Sequence, residues 1–351
     1  MDGVTLTDNS GRHWLSRALF VALIFCSLSV GGTIFASSTS QVAGASTLGG
    51  SSLGSLHWKH WSTRFAPSSR SGAALAYDPL SSQLILFGGF NHGHYLADTW
   101  EWTGRAWQRL HPVSHPSSRS GAALAYDPAS RQLVLFGGVD KAGYLADTWE
   151  WTGSDWVKLA PVAAPSVRSG SALTYDPSTK TLVLFGGISS LGQVTSDTWE
   201  WNGSGWLRIA TPSAPSARVG GLLAYDPYTK VVVLFGGYNT QKLFRGTWEF
   251  DGASWARVHP KLSPPALAFS QLIASPGLRS LIFFGGETAA GQIQAAWAWN
   301  GLTWRRLRLS RSPAAREFAA FAFDPATSQL VLFGGFRANH SLGDTWTASI
   351  G

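Results

Sequence analysis

The chain has a single cysteine, Cys26, and it lies inside an N-terminal apolar segment. The remaining residues can therefore form no internal disulfide and no thiolate metal site. Charge is scarce as well. Asp, Glu, Lys and Arg together make up 13% of the residues, about half the usual share of a soluble domain. The net charge of +7 suits an anionic partner, but no cluster of five to eight Lys/Arg residues is present, which argues against nucleic acid. Gly (39) and Trp (18) are plentiful among the 351 residues. Few charges with many glycines and aromatics point to short strands joined by tight turns, not to long surface helices.

Arg12 and Arg17 precede an apolar run from Ala18 to Ala36. A positive flank before an apolar core is the layout of an export signal, assigned here to residues 1–36. The strongest apolar part, Ala18 to Cys26, is short, which favours a cleaved signal with a small-residue site at Ala43 and Ala45. A retained membrane anchor is the alternative, since the whole run is long enough to span a bilayer. Either way the rest of the chain is expected outside the cytoplasm, secreted or held at the outer face of the membrane. Residues 37–57 are mostly Ser, Thr, Gly and Ala. They bury too little apolar surface to offset their ordering entropy and read as a flexible linker.

The rest, 58–351, is repetitive. Gly-Gly pairs close an apolar run at Gly88, Gly137, Gly186, Gly236, Gly285 and Gly334, spaced 49, 49, 50, 49 and 49 residues apart. An isolated Trp keeps the same spacing at Trp58, Trp107, Trp156, Trp206, Trp255 and Trp304. Two markers with one period across six copies define a repeat architecture. Each unit reads as four strands. The first is small and apolar (Gly72 to Tyr77) and ends in a Tyr-Asp-Pro turn. The second is a continuous apolar run (Leu84 to Phe87), which implies burial on both faces. The third alternates around Trp100 and Trp102, and a short turn leads to a fourth carrying the marker Trp107. Small residues such as Ala73, Ala122 and Gly221 suit the crowded innermost position of a radial array.

The R-S-G opening of the first strand, the apolar run ending in Gly-Gly, and the Trp after the third strand resemble the kelch repeat of the galactose-oxidase-like propeller superfamily. The resemblance implies an all-β, six-bladed kelch-type β-propeller with four-stranded blades. The sixth unit stops after its third strand, whereas Trp58 has no strands one to three before it. Residues around Trp58 to Phe65 are thus expected to supply the last blade's fourth strand and close the ring.

Antiparallel strands place the first-strand entry and the loop after Gly-Gly on one face. An arginine stands at that entry in five units: Arg70, Arg119, Arg168, Arg218 and Arg316. In kelch adaptor proteins that recruit substrates to ubiquitin ligases, arginines at matching positions hold acidic peptides, so the resemblance implies an anion-binding ring. The competing and preferred reading is an ion pair within each blade, because Asp98, Asp147, Asp197 and Asp344 open strand three on the same face. Unit five has lost both partners (Leu267, Ala295), and unit four keeps Arg218 opposite Gly246.

The Trp residues are expected to pack blades, being fixed by the repeat. The loops after Gly-Gly are better candidates for recognition. They carry Asn91, His92, His94 and Tyr95; Asp140, Lys141 and Tyr144; Gln193; Asn239, Gln241 and Lys242; Glu287 and Gln292; and Arg337, Asn339 and His340. The histidines have no carboxylate at matching spacing, so no metal is assigned. The expected function is an exported, monomeric binding module, without cofactor or nucleic acid, that presents these loops to an extracellular protein or glycan, such as peptidoglycan. The alternative is a sugar mutarotase acting on a sialic-acid-like substrate, as some six-bladed kelch proteins are. Glu287 and a ring arginine would be its acid/base pair, with unit five setting Glu287 between Arg218 and Arg316.

Overall fold

The computed structural model describes residues 54–351, so the readings for 1–36 and for 37–53 of the linker lie outside the described residues. Within 54–351 each repeat folds into one antiparallel sheet. In the first, Ala74–Asp78, Gln83–Phe87, Thr99–Trp102 and Trp107–Leu110 lie side by side in chain order. Five sheets follow that order, and a sixth takes its outer strand from the N-terminus: Ser55–Trp61 pairs antiparallel with Thr345–Ile350. The closing strand therefore starts ahead of Trp58, inside the segment read as linker, and ends before Phe65. The reason is apolar burial, since Leu56 is fully enclosed while Phe65 lies on the surface. Arg308–Ser310 adds a fifth, parallel strand outside it, which covers the edge that closure alone would leave open.

The second strands explain why the sheets stack. Leu84, Ile85 and Leu86 are all fully buried, because their two faces meet two different neighbouring sheets. Six apolar clusters result, each shared by adjacent blades. One joins Leu84, Leu86 and Trp107 of the first repeat to Val331 and Phe333 of the last. Five of the six marker tryptophans also donate a hydrogen bond across an interface. The Trp156 indole N–H donates to the Thr99 hydroxyl at 3.0 Å, and Trp206, Trp255 and Trp304 do the same to Thr148, Thr198 and Thr247 of the preceding blade. These tryptophans are packing residues with one polar tip satisfied.

Innermost, the chain closes a hoop of backbone hydrogen bonds. Gly121 N–H donates to the Gly72 carbonyl, Gly170 to Gly121, Gly220 to Gly170, Phe269 to Gly220, Phe318 to Phe269, and Gly72 to Phe318, all within 2.8–3.0 Å. All six residues have positive φ, from 52° to 65°. Glycine is required at four of them; a Cβ on Gly220 would lie 2.3 Å from the Phe269 ring. Phe269 and Phe318 adopt the same backbone with side chains, at a cost of about 1–2 kcal/mol each, and their rings stack at 4.4 Å.

Candidate functional site

The inner strands surround a cavity of about 1380 Å³, lined mostly by alanines, leucines and the tyrosines of the Tyr-Asp-Pro turns. Its only charged lining residues among those described are Asp140 and Lys141, with Tyr144 beside them. None of the five arginines and no glutamate lines it.

The arginines are held elsewhere. Arg70 is 1% exposed, and all five of its N–H groups are used. Nε donates to the Ser68 carbonyl, Nη1 to the Gly88 carbonyl and Asp98 Oδ1, and Nη2 to the Ser68 hydroxyl and Asp98 Oδ2. A guanidinium has no further donor to offer a ligand. Arg119 with Asp147 and Arg168 with Asp197 repeat this arrangement. Arg316 pairs likewise with Asp344, with Ala314 in place of the serine. In each case the Trp two residues after the aspartate donates its indole N–H to the same carboxylate at 2.6–2.7 Å. Burial alone would push these carboxyls up. The arginine hydrogen bonds and charge, with the indole, outweigh it and hold all four below the ordinary range.

The intra-blade pair thus accounts for four of the five arginines. They pin the first-strand entry to the start of strand three and set where the Gly-Gly loop leaves the sheet. Arg218 differs. It keeps the carbonyl bonds to Ser216 and Gly236, and it lies 4.2 Å below the Phe244 ring.

The loops after Gly-Gly form small hairpins at the cavity mouth: Phe90–Asn91 with His94–Tyr95, Val139–Asp140 with Gly143–Tyr144, Glu287–Thr288 with Gly291–Gln292, and Phe336–Arg337 with His340–Ser341. His92, His94, Lys141, Gln193, Gln241, Lys242, Arg337, Asn339 and His340 are exposed on them. Their tips are shaped by side-chain to backbone bonds. Asp140 accepts from the Ala142 and Gly143 amides, and Asn239 from Gln241 and Lys242. The first and last hairpins touch, with the Ser341 hydroxyl donating to the Phe90 carbonyl at 3.2 Å. Among the described residues, no three His, Cys, Asp or Glu side chains gather as metal ligands would.

Glu287 pairs with Gln292 across its hairpin and faces Ala268. Arg218 and Arg316, the arginines read as its partners, are both buried. Two features were not foreseen. Glu317, buried beside Arg316, accepts from Gln292 Nε2 at 3.0 Å. Phe318, with Phe269, builds an apolar cluster at the mouth with Val219, Ala268, Ile188 and Tyr238. Comparing the six R-S-G positions would have found both, because Glu-Phe replaces Ser-Gly only in the last unit.

The sheets, their cyclic packing and the Arg–Asp corners define a kelch-type β-propeller. A family model described as the KLHDC2/KLHL20/DRC7 Kelch-repeats domain matches residues 30–203, which supports a kelch-repeat family for the chain. Kelch repeats are in general protein-interaction modules. No curated protein matches the chain.

Proposed function

We propose that the protein is a non-enzymatic binding module, exported from the cytoplasm, that recognises an extracellular partner with the hairpins after Gly-Gly. One observation carries this reading: the hairpins carry exposed charged and histidine side chains that differ from blade to blade and so are not fixed by the repeat. His92, His94, Lys141, Lys242, Arg337 and His340 project from one face, while the arginines, aspartates and tryptophans of the repeat are engaged in holding it together. Lys141, Lys242 and Arg337 among them are cationic, which favours a partner with negative charge. The cavity does not favour sugar mutarotation by the pair read from the sequence, since neither Glu287 nor any of the five arginines lines it.

Two measurements test the proposal. Fractionation should find the protein outside the cytoplasm, and N-terminal sequencing should place a cleaved start between residues 37 and 55. Labelled protein should bind the surface of the producing cells. Replacing His92, His94, Lys141, Lys242 and His340 with serine should abolish that binding without moving the melting temperature. Replacing the exposed residues of the Tyr-Asp-Pro turns on the opposite face should leave it intact. Equal binding by both variants would overturn the assignment of the face.

A further inference from the structure

Blade four breaks the Arg–Asp pattern in a specific way. Gly246 stands where four other blades carry an aspartate, yet Arg218 is retained and is only 2% exposed. Its Nε donates to the Ser216 carbonyl at 2.9 Å and its Nη1 to the Gly236 carbonyl at 2.6 Å. These bonds take two of the five guanidinium N–H groups. Among the described residues no side chain accepts from the other three, which in blade one are taken by Asp98 and the Ser68 hydroxyl. Phe244 covers the face of the guanidinium at 4.2 Å. Stacking of this kind satisfies the flat side of the cation and leaves its in-plane N–H edge uncovered.

Two further donors lie beside Gly246, the position that carries the aspartate in the paired blades. In the four paired blades the Trp indole donates to the carboxylate. Here a Cβ on Gly246 would lie 3.0 Å from Trp248 Nε1 and 3.9 Å from Arg257 Nε. Burial, then the charge of Arg257, brings the Arg218 pKa down to about 10. The matching aspartates keep 15–27% of their side chains exposed, so the place they occupy opens to solvent. Around it the chain is cationic, with Lys242, Arg245, His259 and Lys261 all exposed. The nearby acids Glu249 and Asp251 lie further down the sheet, in strand three and in the turn of the opposite face.

We propose that the corner formed by Arg218, Trp248 and Arg257 binds a planar carboxylate from outside the chain, an Asp or Glu side chain of a partner polypeptide. It would seat where Asp98, Asp147, Asp197 and Asp344 seat in their own blades. The forked edge of Arg218 would take both oxygens and the indole N–H one of them, as in the paired blades. This site does not depend on the hairpin interface proposed above, because it is read out on the isolated protein.

The test is thermal melting in sodium formate against sodium chloride at equal ionic strength. Wild type should melt about 2 °C higher in saturating formate than in chloride. Gly246→Asp, which supplies the carboxylate internally, should lose that difference, and so should Arg218→Met. Because each variant is its own reference, a change in its basal stability does not obscure the result, and Trp248→Phe should reduce the difference where the other two melt too low to read. A blocked Gly-Glu-Gly peptide should stabilise wild type more than its Gln counterpart. No formate difference in wild type, or the same difference in Gly246→Asp, would overturn the site. Stabilisation by formate but not by the Glu peptide would overturn the partner side chain as its source.

Discussion

The indole N–H of Trp107, in the first complete blade, donates to the hydroxyl of Thr345, in the last, across 2.9 Å and 238 residues of sequence. This bond belongs to the same series as the other inter-blade latches, so the seam between the chain's ends is built like any other interface. Thr345→Val keeps the shape and leaves a buried indole N–H unpaired, and it should cost about 1–3 kcal/mol. Chemical denaturation would show it as a lower midpoint with an unchanged slope.

The series has one gap. Ala296 replaces the threonine in blade five, and the Trp58 indole N–H that should reach it is buried without a partner. Ala296→Thr should restore the latch and raise stability by about 1 kcal/mol. The same substitution in a Trp58→Phe background should give no such gain, which a double-mutant cycle would measure.

Removing one arginine should leave its aspartate half-buried and uncompensated. Arg119→Leu should cost about 2–3 kcal/mol, under the figure for a fully buried pair because the Asp147 side chain keeps 18% exposure. Arg119→Lys should recover little of it, since an ammonium cannot fork to both carboxylate oxygens and the backbone carbonyls.

Acid should act on two carboxylate sets in opposite directions. The folded-state pKa values of Asp98, Asp147, Asp197 and Asp344 are depressed. Their contribution is complete above the unfolded value, near pH 4, and is lost as pH falls through the folded one. Burial instead raises Glu101, Glu150, Glu200 and Glu249, so protonating them favours the folded form. The melting temperature should therefore be highest in mild acid and drop below about pH 4. Asp147→Asn should flatten that drop, and Glu200→Gln should flatten the rise that precedes it.

Deleting Ser55–Trp61 should remove the antiparallel partner of Thr345–Ile350 and expose that strand's edge. Aggregation followed by light scattering is the expected outcome. Deleting residues 37–53 should leave the melt unchanged.

Most of the fold was legible because its determinants recur. The Gly-Gly pairs and marker tryptophans fixed the period, and the unbroken apolar second strands revealed burial on two sides. The closing strand was placed three residues late because Ser55, Leu56 and His57 continue the small and polar composition of the linker; only packing shows Leu56 to be enclosed. The Arg–Asp corner was visible as paired loss in unit five. Its saturation was not, since counting five donors against five acceptors needs the Ser68 and Gly88 carbonyls, whose positions no side-chain pattern encodes. Phe318 escaped notice because an aromatic residue in a first strand reads as core, whereas here its backbone occupies a glycine conformation.

The six-membered circle of amide-to-carbonyl bonds at the mouth has a mechanical corollary. In a linear stack of repeats the terminal unit has one neighbour and can fray on its own. Here Gly72 is linked to Phe318 just as Gly121 is linked to Gly72, so no blade is terminal. Releasing any one of them means breaking two seams at once, with an apolar cluster at each. The protein is thereby made to resist local unzipping and to come apart as a unit, and the hoop stays the same while the hairpins around it differ from blade to blade.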